Sequence, residues 1–148
     1  MMSSFIIPLI AAAAGCLILA GIIAAVRRIR HRHDIDELDG IEFEHYCAEL
    51  LAGTGFLHVR TTSASRDFGA DILAQKDGVT YAVQCKRYDK PVGIYAVQEI
   101  YAAKDFYGMM VGAVMTNSTF TAPAKQMAEK LGILLWDGDD LKRRFSRQ

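Results

Sequence analysis

The dipeptide Asp77-Gly78, with a strand-like run on either side, is the feature that most restricts the fold of this sequence. Ala70 to Gln75 and Val79 to Lys86 have the apolar composition of β-strands, and Asp-Gly favours the two-residue type I′ hairpin turn. Such a turn pairs Lys76 with Val79 and fixes every later pair along both strands. The sequence therefore predicts an antiparallel hairpin of known register.

This register brings three polar side chains to one face of the hairpin. Asp71 falls opposite Gln84, with Cβ atoms about 5 Å apart, and Lys86 lies diagonally beside Asp71. A carboxylate and an amide oxygen suit Mg²⁺, which neutralises phosphate charge and activates water, and the backbone carbonyl of Cys85 can face the same ion. Lys86 can position that water or stabilise the transition state. The competing interpretation is an ordinary Asp–Lys pair with a glutamine on a solvated sheet face.

The rest of the soluble part alternates between helix and strand patterns. Asp39 with Glu42 forms a capping-box pattern ahead of an amphipathic helix that ends near Gly53. The predicted order is αβββαβαβα, a mixed sheet with helices on both faces and so an α/β domain. The further predicted elements are strands at Phe56–Thr61, Met110–Met115 and Ile133–Trp136, and helices at Ile94–Phe106, Thr121–Leu131 and Asp139–Phe145.

The N-terminal segment from Phe5 to Val26 has 22 residues and no charge. About 20 apolar residues cross a bilayer, so a single transmembrane helix is predicted. The arginines between Arg27 and Arg32 follow it, which predicts a cytoplasmic C-terminal side. A cleaved signal peptide and a lipoprotein-type Cys16 are the alternatives, but neither agrees with the long apolar run and the basic residues behind it.

These patterns divide the chain into an anchor with its basic run (1–33), a polar linker (34–39) and one domain (40–148). From Asp34 onward there are 13 Lys and Arg against 17 Asp and Glu, although the whole chain is formally neutral. Attraction to a polyanion must therefore come from local patches or a bound cation. The three scattered cysteines fit buried reduced thiols better than disulfides or a zinc site.

The stretch from Gly40 to Leu141 resembles the Mrr-like restriction endonuclease domain, a branch of the PD-(D/E)xK nuclease superfamily. That resemblance implies the restriction-endonuclease-like αβββαβ core. It makes Asp71 the principal metal ligand, puts Gln84 in the place of the usual acid, and makes Lys86 the catalytic lysine. The segments that carry it are Gly40-Ile41-Glu42-Phe43-Glu44, Asp67-Phe68-Gly69-Ala70-Asp71, Val83-Gln84-Cys85-Lys86-Arg87-Tyr88, Val97-Gln98-Glu99 and Thr116 to Ala124.

The resemblance also implies that Glu44 completes the metal environment, directly or through water. Gln98 matches a family position beside the site, where it could contact phosphate or serve packing, and Arg87 and Lys90 could hold DNA phosphates. The expected function is a Mg²⁺- or Mn²⁺-dependent DNA endonuclease at the cytoplasmic face of the membrane. Confinement to a membrane would favour association into a homodimer. The alternative is a membrane-tethered nucleic-acid-binding or scaffold module without turnover. A sequence-specific restriction enzyme is not expected, because a membrane helix stands where a recognition module would.

Overall fold

The computed structural model of this protein describes residues 35–62 and 68–144, together with Leu19 and Gly21. The chain divides into two units, residues 1–37 and 38–148. Among the described residues no helix is long and apolar enough to cross a membrane. The predicted span from Phe5 to Val26 lies outside the described residues apart from Leu19 and Gly21, and so does the basic run behind it.

The second unit folds as an α/β domain, in the predicted element order. Its five strands form one sheet in the order β1-β2-β3-β4-β5. The first three are antiparallel and the last three are parallel, so the prediction of a mixed sheet is confirmed. The elements are α1 (Gly40–Gly53), β1 (Leu57–Thr61), β2 (Ile72–Lys76), β3 (Val79–Lys86), α2 (Ile94–Phe106), β4 (Val111–Thr116), α3 (Ala122–Leu131), β5 (Leu134–Trp136) and α4 (Gly138–Arg144).

The central hairpin has the predicted register, with Lys76 paired to Val79 and Ile72 paired to Val83. Asp77 and Gly78 both have positive φ, 50° and 80°, as a type I′ turn requires. The right-handed twist of this turn matches that of the strands, and β2 and β3 stay paired as far as Ile72 with Val83. Their far ends are where the predicted polar residues lie.

Helix ends follow the local signals in the sequence. Asp39 caps α1 through the predicted capping box, because its side chain accepts from the Glu42 N–H and Glu42 accepts from the Asp39 N–H. Thr121 caps α3 in the same sense, accepting from the Ala124 N–H, and Gly132 ends that helix in the left-handed conformation. These caps set where each helix begins or ends relative to the sheet.

The two faces of the sheet are covered by different helices. Leu73, Ala82 and Val114 share one apolar cluster with residues of α2 and α3. Side chains alternate along a strand, so Ile72 and Val83 point to the opposite face, on which α1 packs. α1 buries Phe43, Cys47 and Leu51 there. The central strands thus have apolar cover on both sides, as the continuous run at β4 predicts.

Candidate active site

A cleft of about 490 Å³ opens at the ends of β2 and β3 farthest from the hairpin turn. It brings together the four side chains that the sequence analysis singled out for chemistry. Three come from the hairpin and its approach, and one comes from α1. A residue that sequence reasoning left without a role, Glu99 of α2, also lines it. The lining residues are Glu44, Phe68, Gly69, Asp71, Gln84, Cys85, Lys86, Glu99 and Ala102.

Asp71 lies just before β2, at the point where regular pairing stops. If the strands stayed paired in the same register, Cys85 would lie opposite Ala70. The Ala70 carbonyl accepts a hydrogen bond from the Thr62 hydroxyl at 2.7 Å. The Cys85 N–H donates instead to Asp71 Oδ2 at 2.6 Å. Asp71 as a whole is only 7% exposed. It is therefore held in place by the backbone of the strand that carries Gln84 and Lys86.

Gln84 is buried, with 3% of its surface exposed. Its amide Nε2 donates to Glu99 Oε2 at 2.8 Å. The same carboxylate oxygen lies 3.2 Å from Lys86 Nζ. Gln84 Oε1 is also buried, and no hydrogen-bond donor in the described part of the chain reaches it. A buried amide oxygen without a hydrogen-bond donor lowers the stability of the fold unless a cation or another donor binds to it.

Glu99 could have been found from helix spacing. The buried residues of α2 include Ala96 and Ala103, and Glu99 lies three positions after the first and four before the second. A residue so placed borders the stripe that faces the sheet. Gln98, on which the resemblance directed attention, is exposed and does not line the cleft.

Glu44 is half-buried on α1 and reaches the cleft from the other face of the sheet. Cys85 lies between the two sides and is buried, as is Cys47 of α1. Burial raises the pKa of the Cys85 thiol well above its ordinary value, and Cys47, Asp71 and Glu44 add to the increase. Cys47 and Cys85 are buried free thiols, as predicted, whereas Cys16 lies outside the described residues.

The donors in the cleft suit a hard divalent cation. Asp71 offers a carboxylate, Gln84 offers an amide oxygen that no donor in residues 35–62 or 68–144 reaches, and Glu44 lines the same cleft. In a β-strand, the N–H and the carbonyl of one residue point toward the same neighbouring strand. Since the Cys85 N–H donates to Asp71, the Cys85 carbonyl also points to the Asp71 side. No group of three His, Cys, Asp or Glu side chains suited to a metal occurs in the described ranges. A metal here would therefore need the amide and backbone oxygens, which Mg²⁺ and Mn²⁺ accept.

The residues predicted to contact nucleic acid lie outside the cleft lining. The Arg87 guanidinium donates to Asp89 Oδ1 at 2.7 Å. Lys90 is exposed, as is Gln98 on α2. The segment that carries Arg87 and Lys90 is fixed to the end of β4, because the Tyr88 N–H donates to Asn117 Oδ1 at 2.9 Å.

The loop before Asp71 packs closely on α2. Gly69 has φ +88°, and a Cβ placed on it would lie 3.1 Å from the carbonyl oxygen of Glu99. Beside it, the Phe68 ring is stacked on that of Phe106 with centroids 4.2 Å apart. Glycine at position 69 allows the loop and α2 to approach this closely. Glu99 therefore lies next to the loop that leads to Asp71.

The mixed five-stranded sheet flanked by helices is the fold class of restriction-endonuclease-like proteins. The restriction endonuclease family Mrr_cat matches residues 35–145. The chain belongs to this family. No curated protein sequence matches it.

Two solved structures are similar to the chain. A protein of unknown function, AF1548, has a TM-score of 0.55 and 26% sequence identity, over 68% of this chain and 57% of that one. The DNA modification-dependent restriction endonuclease AspBHI has a TM-score of 0.60 and 18% identity, over 76% of this chain and 33% of that one. The chain thus covers just over half of the first relative and about a third of the second. At 18% identity, the similarity to AspBHI shows a shared fold and nothing more.

Proposed function

We propose that this protein is a divalent-metal-dependent endonuclease that hydrolyses DNA phosphodiester bonds, with Asp71, Gln84, Lys86 and Glu44 as its site. Membership of a restriction endonuclease family supports a nuclease. The observation that carries the metal requirement is the buried Gln84 Oε1, which has no hydrogen-bond donor among the described residues and lines the same cleft as Asp71. A cation would provide the missing partner.

Asp71, Gln84 Oε1 and the Cys85 carbonyl would hold the ion, with Glu44 acting directly or through water. When bound, Mg²⁺ or Mn²⁺ neutralises charge on the phosphate and lowers the pKa of water. The Cys85 N–H keeps the Asp71 carboxylate oriented in the cleft. Lys86 brings an ammonium to the same cleft, where it orients the attacking water and stabilises the extra negative charge of the transition state.

DNA is the substrate that family membership favours. The residues from Asp34 onward carry a net negative charge, so affinity for DNA would depend on the metal and on local contacts. Arg87, Lys90 and Gln98 are the proposed contacts to the phosphate backbone outside the cleft. Phosphate contacts position the strand without selecting its sequence, which agrees with a nuclease of low sequence specificity.

The proposed location is the cytoplasmic face of a membrane, anchored by residues 5–26. The support is the uncharged run and the arginines that follow it. Alkaline extraction of membranes tests the anchor, since an integral protein stays in the pellet. Protease digestion of sealed vesicles tests the orientation. Cross-linking in the same membranes tests the proposed homodimer.

The activity is tested with the full-length chain, in detergent micelles, and supercoiled plasmid. Nicking is measured without metal, with Mg²⁺ and with Mn²⁺, for the wild type and for Lys86→Ala. Lys125→Ala, which changes an exposed lysine on α3, is the matched control. Metal-dependent nicking is expected in the wild type and the control, with a loss of about 10²- to 10⁴-fold in Lys86→Ala. DNA binding without cleavage under all conditions would support a binding module instead, and the absence of both would support a scaffold.

A further inference from the structure

The carboxamide of Gln84 has two chemically different ends. Nε2 can only donate a hydrogen bond and Oε1 can only accept one, and a half-turn about the last bond exchanges them. The carboxylate of Glu99 can only accept. Its Oε2 atom, 2.8 Å from Nε2, is therefore matched to one of the two orientations of the Gln84 amide. In that orientation Oε1 points away from Glu99.

We infer that Glu99 is a positioning residue, which fixes Gln84 so that Oε1 can bind the divalent cation and which holds Lys86 beside it. This inference rests on the proposed function. The buried Oε1 has no donor among the described residues, whereas Nε2 has a charged partner in the half-exposed carboxylate of Glu99. One carboxylate oxygen thus orients two members of the site, because Lys86 Nζ lies 3.2 Å from the same Oε2.

The arrangement also gives a physical reason for an amide at position 84. An acidic side chain there would put two carboxylates at hydrogen-bond distance, and like charges so close resist simultaneous ionisation. With glutamine, the pair has one donor and one acceptor, and a neutral oxygen remains for the cation. Gln84 and Glu99 therefore form a matched pair, in which the identity of one depends on the other.

Glu99 can do this because its helix is held firmly against the sheet. Val97 and Ile100, on either side of it in the sequence, are fully buried. The backbone at Glu99 also packs against Gly69 in the loop that leads to Asp71. A carboxylate on so constrained a helix keeps its place better than one on a loop.

The first test measures Mn²⁺ binding by calorimetry on the full-length chain, so that it does not depend on turnover. Glu99→Gln keeps the shape but can present either an oxygen or an NH₂ to Gln84, and the orientation is no longer selected. Loss of an outer partner of this kind weakens metal affinity by about 10- to 100-fold. Glu129→Gln, at an exposed position on α3, should bind Mn²⁺ as the wild type does. Thermal unfolding without metal should be cooperative in all three proteins, which shows that each variant is folded.

Two further variants separate positioning from folding or charge. Glu99→Asp keeps the charge but withdraws the carboxylate by one methylene, and it should lose affinity in the same way. Gln84→Glu combined with Glu99→Gln restores one donor and one acceptor with their polarity exchanged, and Mn²⁺ affinity should recover relative to Glu99→Gln alone. Gln84→Glu alone is the reference for the charge that this change adds to the site. Recovery larger than the gain that Gln84→Glu gives in the presence of Glu99 would not occur if Glu99 served only to support the helix.

The outcomes distinguish this inference from the proposed function. Wild type that binds Mn²⁺ and nicks plasmid, together with Glu99→Gln that binds equally well, overturns the positioning role and leaves the nuclease intact. Affinity that falls in Glu99→Gln but does not recover in the double variant also overturns it. Wild type that neither binds Mn²⁺ nor nicks plasmid overturns the proposed metal-dependent nuclease, and the role of Glu99 with it.

Discussion

The helices α1 and α2 each bring one glutamate to the cleft, from opposite faces of the sheet. Glu44 of α1 lines the cleft together with Cys85 and Asp71, on the side where the thiols of Cys47 and Cys85 are buried. Glu99 of α2 contacts Gln84 and Lys86 through a single oxygen, Oε2. Glu44 thus lies on the side of the Asp71 carboxylate, whereas Glu99 contacts the Gln84 amide and the Lys86 ammonium.

This difference shows that residues of the same type, in the same cleft, can have unequal roles. Glu44 is suited to add negative charge to the cation site beside Asp71. Glu99 is engaged by two protein donors and is suited to orient its neighbours. Asp71 is common to the two sides. It accepts a hydrogen bond from the Cys85 N–H, and it lines the same cleft as Gln84.

The largest effect should come from removing the charge of Asp71, which both sides need. Asp71→Asn keeps an oxygen that can accept from the Cys85 N–H, so the fold should persist. The loss of the carboxylate should lower plasmid cleavage by about 100-fold or more, as for other removals of charge stabilisation at a reaction centre. Asp77→Asn is the matched control, because Asn-Gly also suits the type I′ turn. Undiminished cleavage by Asp71→Asn would contradict the proposed site.

The next effect in size separates the two glutamates directly. Glu44→Gln should weaken Mn²⁺ affinity by about 10- to 100-fold, as expected for a group in or next to the metal environment. If α1 and α2 act on different members of the site, the losses in Glu44→Gln and Glu99→Gln should add to within about 0.5 kcal/mol in the double variant. Glu49→Gln, exposed on α1, is the control. A double variant no weaker than either single variant would show that the two glutamates share one role.

Much of the fold was predictable from local signals, because those signals act locally in the structure as well. The Asp77-Gly78 turn determines the register of the hairpin, and Asp39 determines the start of α1. The end of the hairpin was not predictable in this way. Pairing stops at Ile72 with Val83, because the Asp71 carboxylate competes with the backbone for the Cys85 N–H. Such competition depends on a side-chain rotamer that the sequence does not specify.

The candidate site was predictable to a different extent on its two sides. The register of one hairpin predicts that Asp71, Gln84 and Lys86 lie at the same end of the sheet, and they do. The predicted pairing of Asp71 with Gln84 is wrong, because regular pairing ends at Ile72 with Val83 and the Asp71 N–H donates to the Val83 carbonyl. Glu99 was missed, since its contacts depend on how α2 packs across the sheet and on which end of the Gln84 amide faces it. Gly69 is part of that packing, but a glycine in a sequence does not reveal which neighbour approaches it.

A smaller effect should follow from changing the contact between the Asp71 loop and α2. Gly69→Ala places a Cβ 3.1 Å from the Glu99 carbonyl oxygen at a residue with φ +88°. Gly55→Ala is a close control, because Gly55 has φ +86° and nothing within 4 Å of the added Cβ. Both should lose about 1–2 kcal/mol of unfolding free energy from backbone strain. Only Gly69→Ala should lose more than this and also weaken Mn²⁺ binding, because the contact displaces Glu99. Equal behaviour of the two variants in urea unfolding and calorimetry would show that the loop does not position α2.

The smallest effect concerns the α1 side alone and appears at alkaline pH. Burial, with a contribution from Cys47, raises the pKa of Tyr46 on α1 to about 12. Burial likewise raises the pKa of Cys85.

The unfolded chain releases these protons at lower pH than the folded protein does, from about pH 8.5 for cysteine and pH 10 for tyrosine. The contribution of the two groups to the unfolding free energy is therefore complete below those values, and it is lost as pH rises toward the folded-state pKa. Urea unfolding should therefore show a free energy that falls between pH 8 and pH 11, with a shallower fall in Tyr46→Phe. An equally steep fall in that variant would mean that the ring of Tyr46 ionises as readily in the folded protein as in the unfolded chain, and that the packing of α1 against β3 is looser than the structure shows.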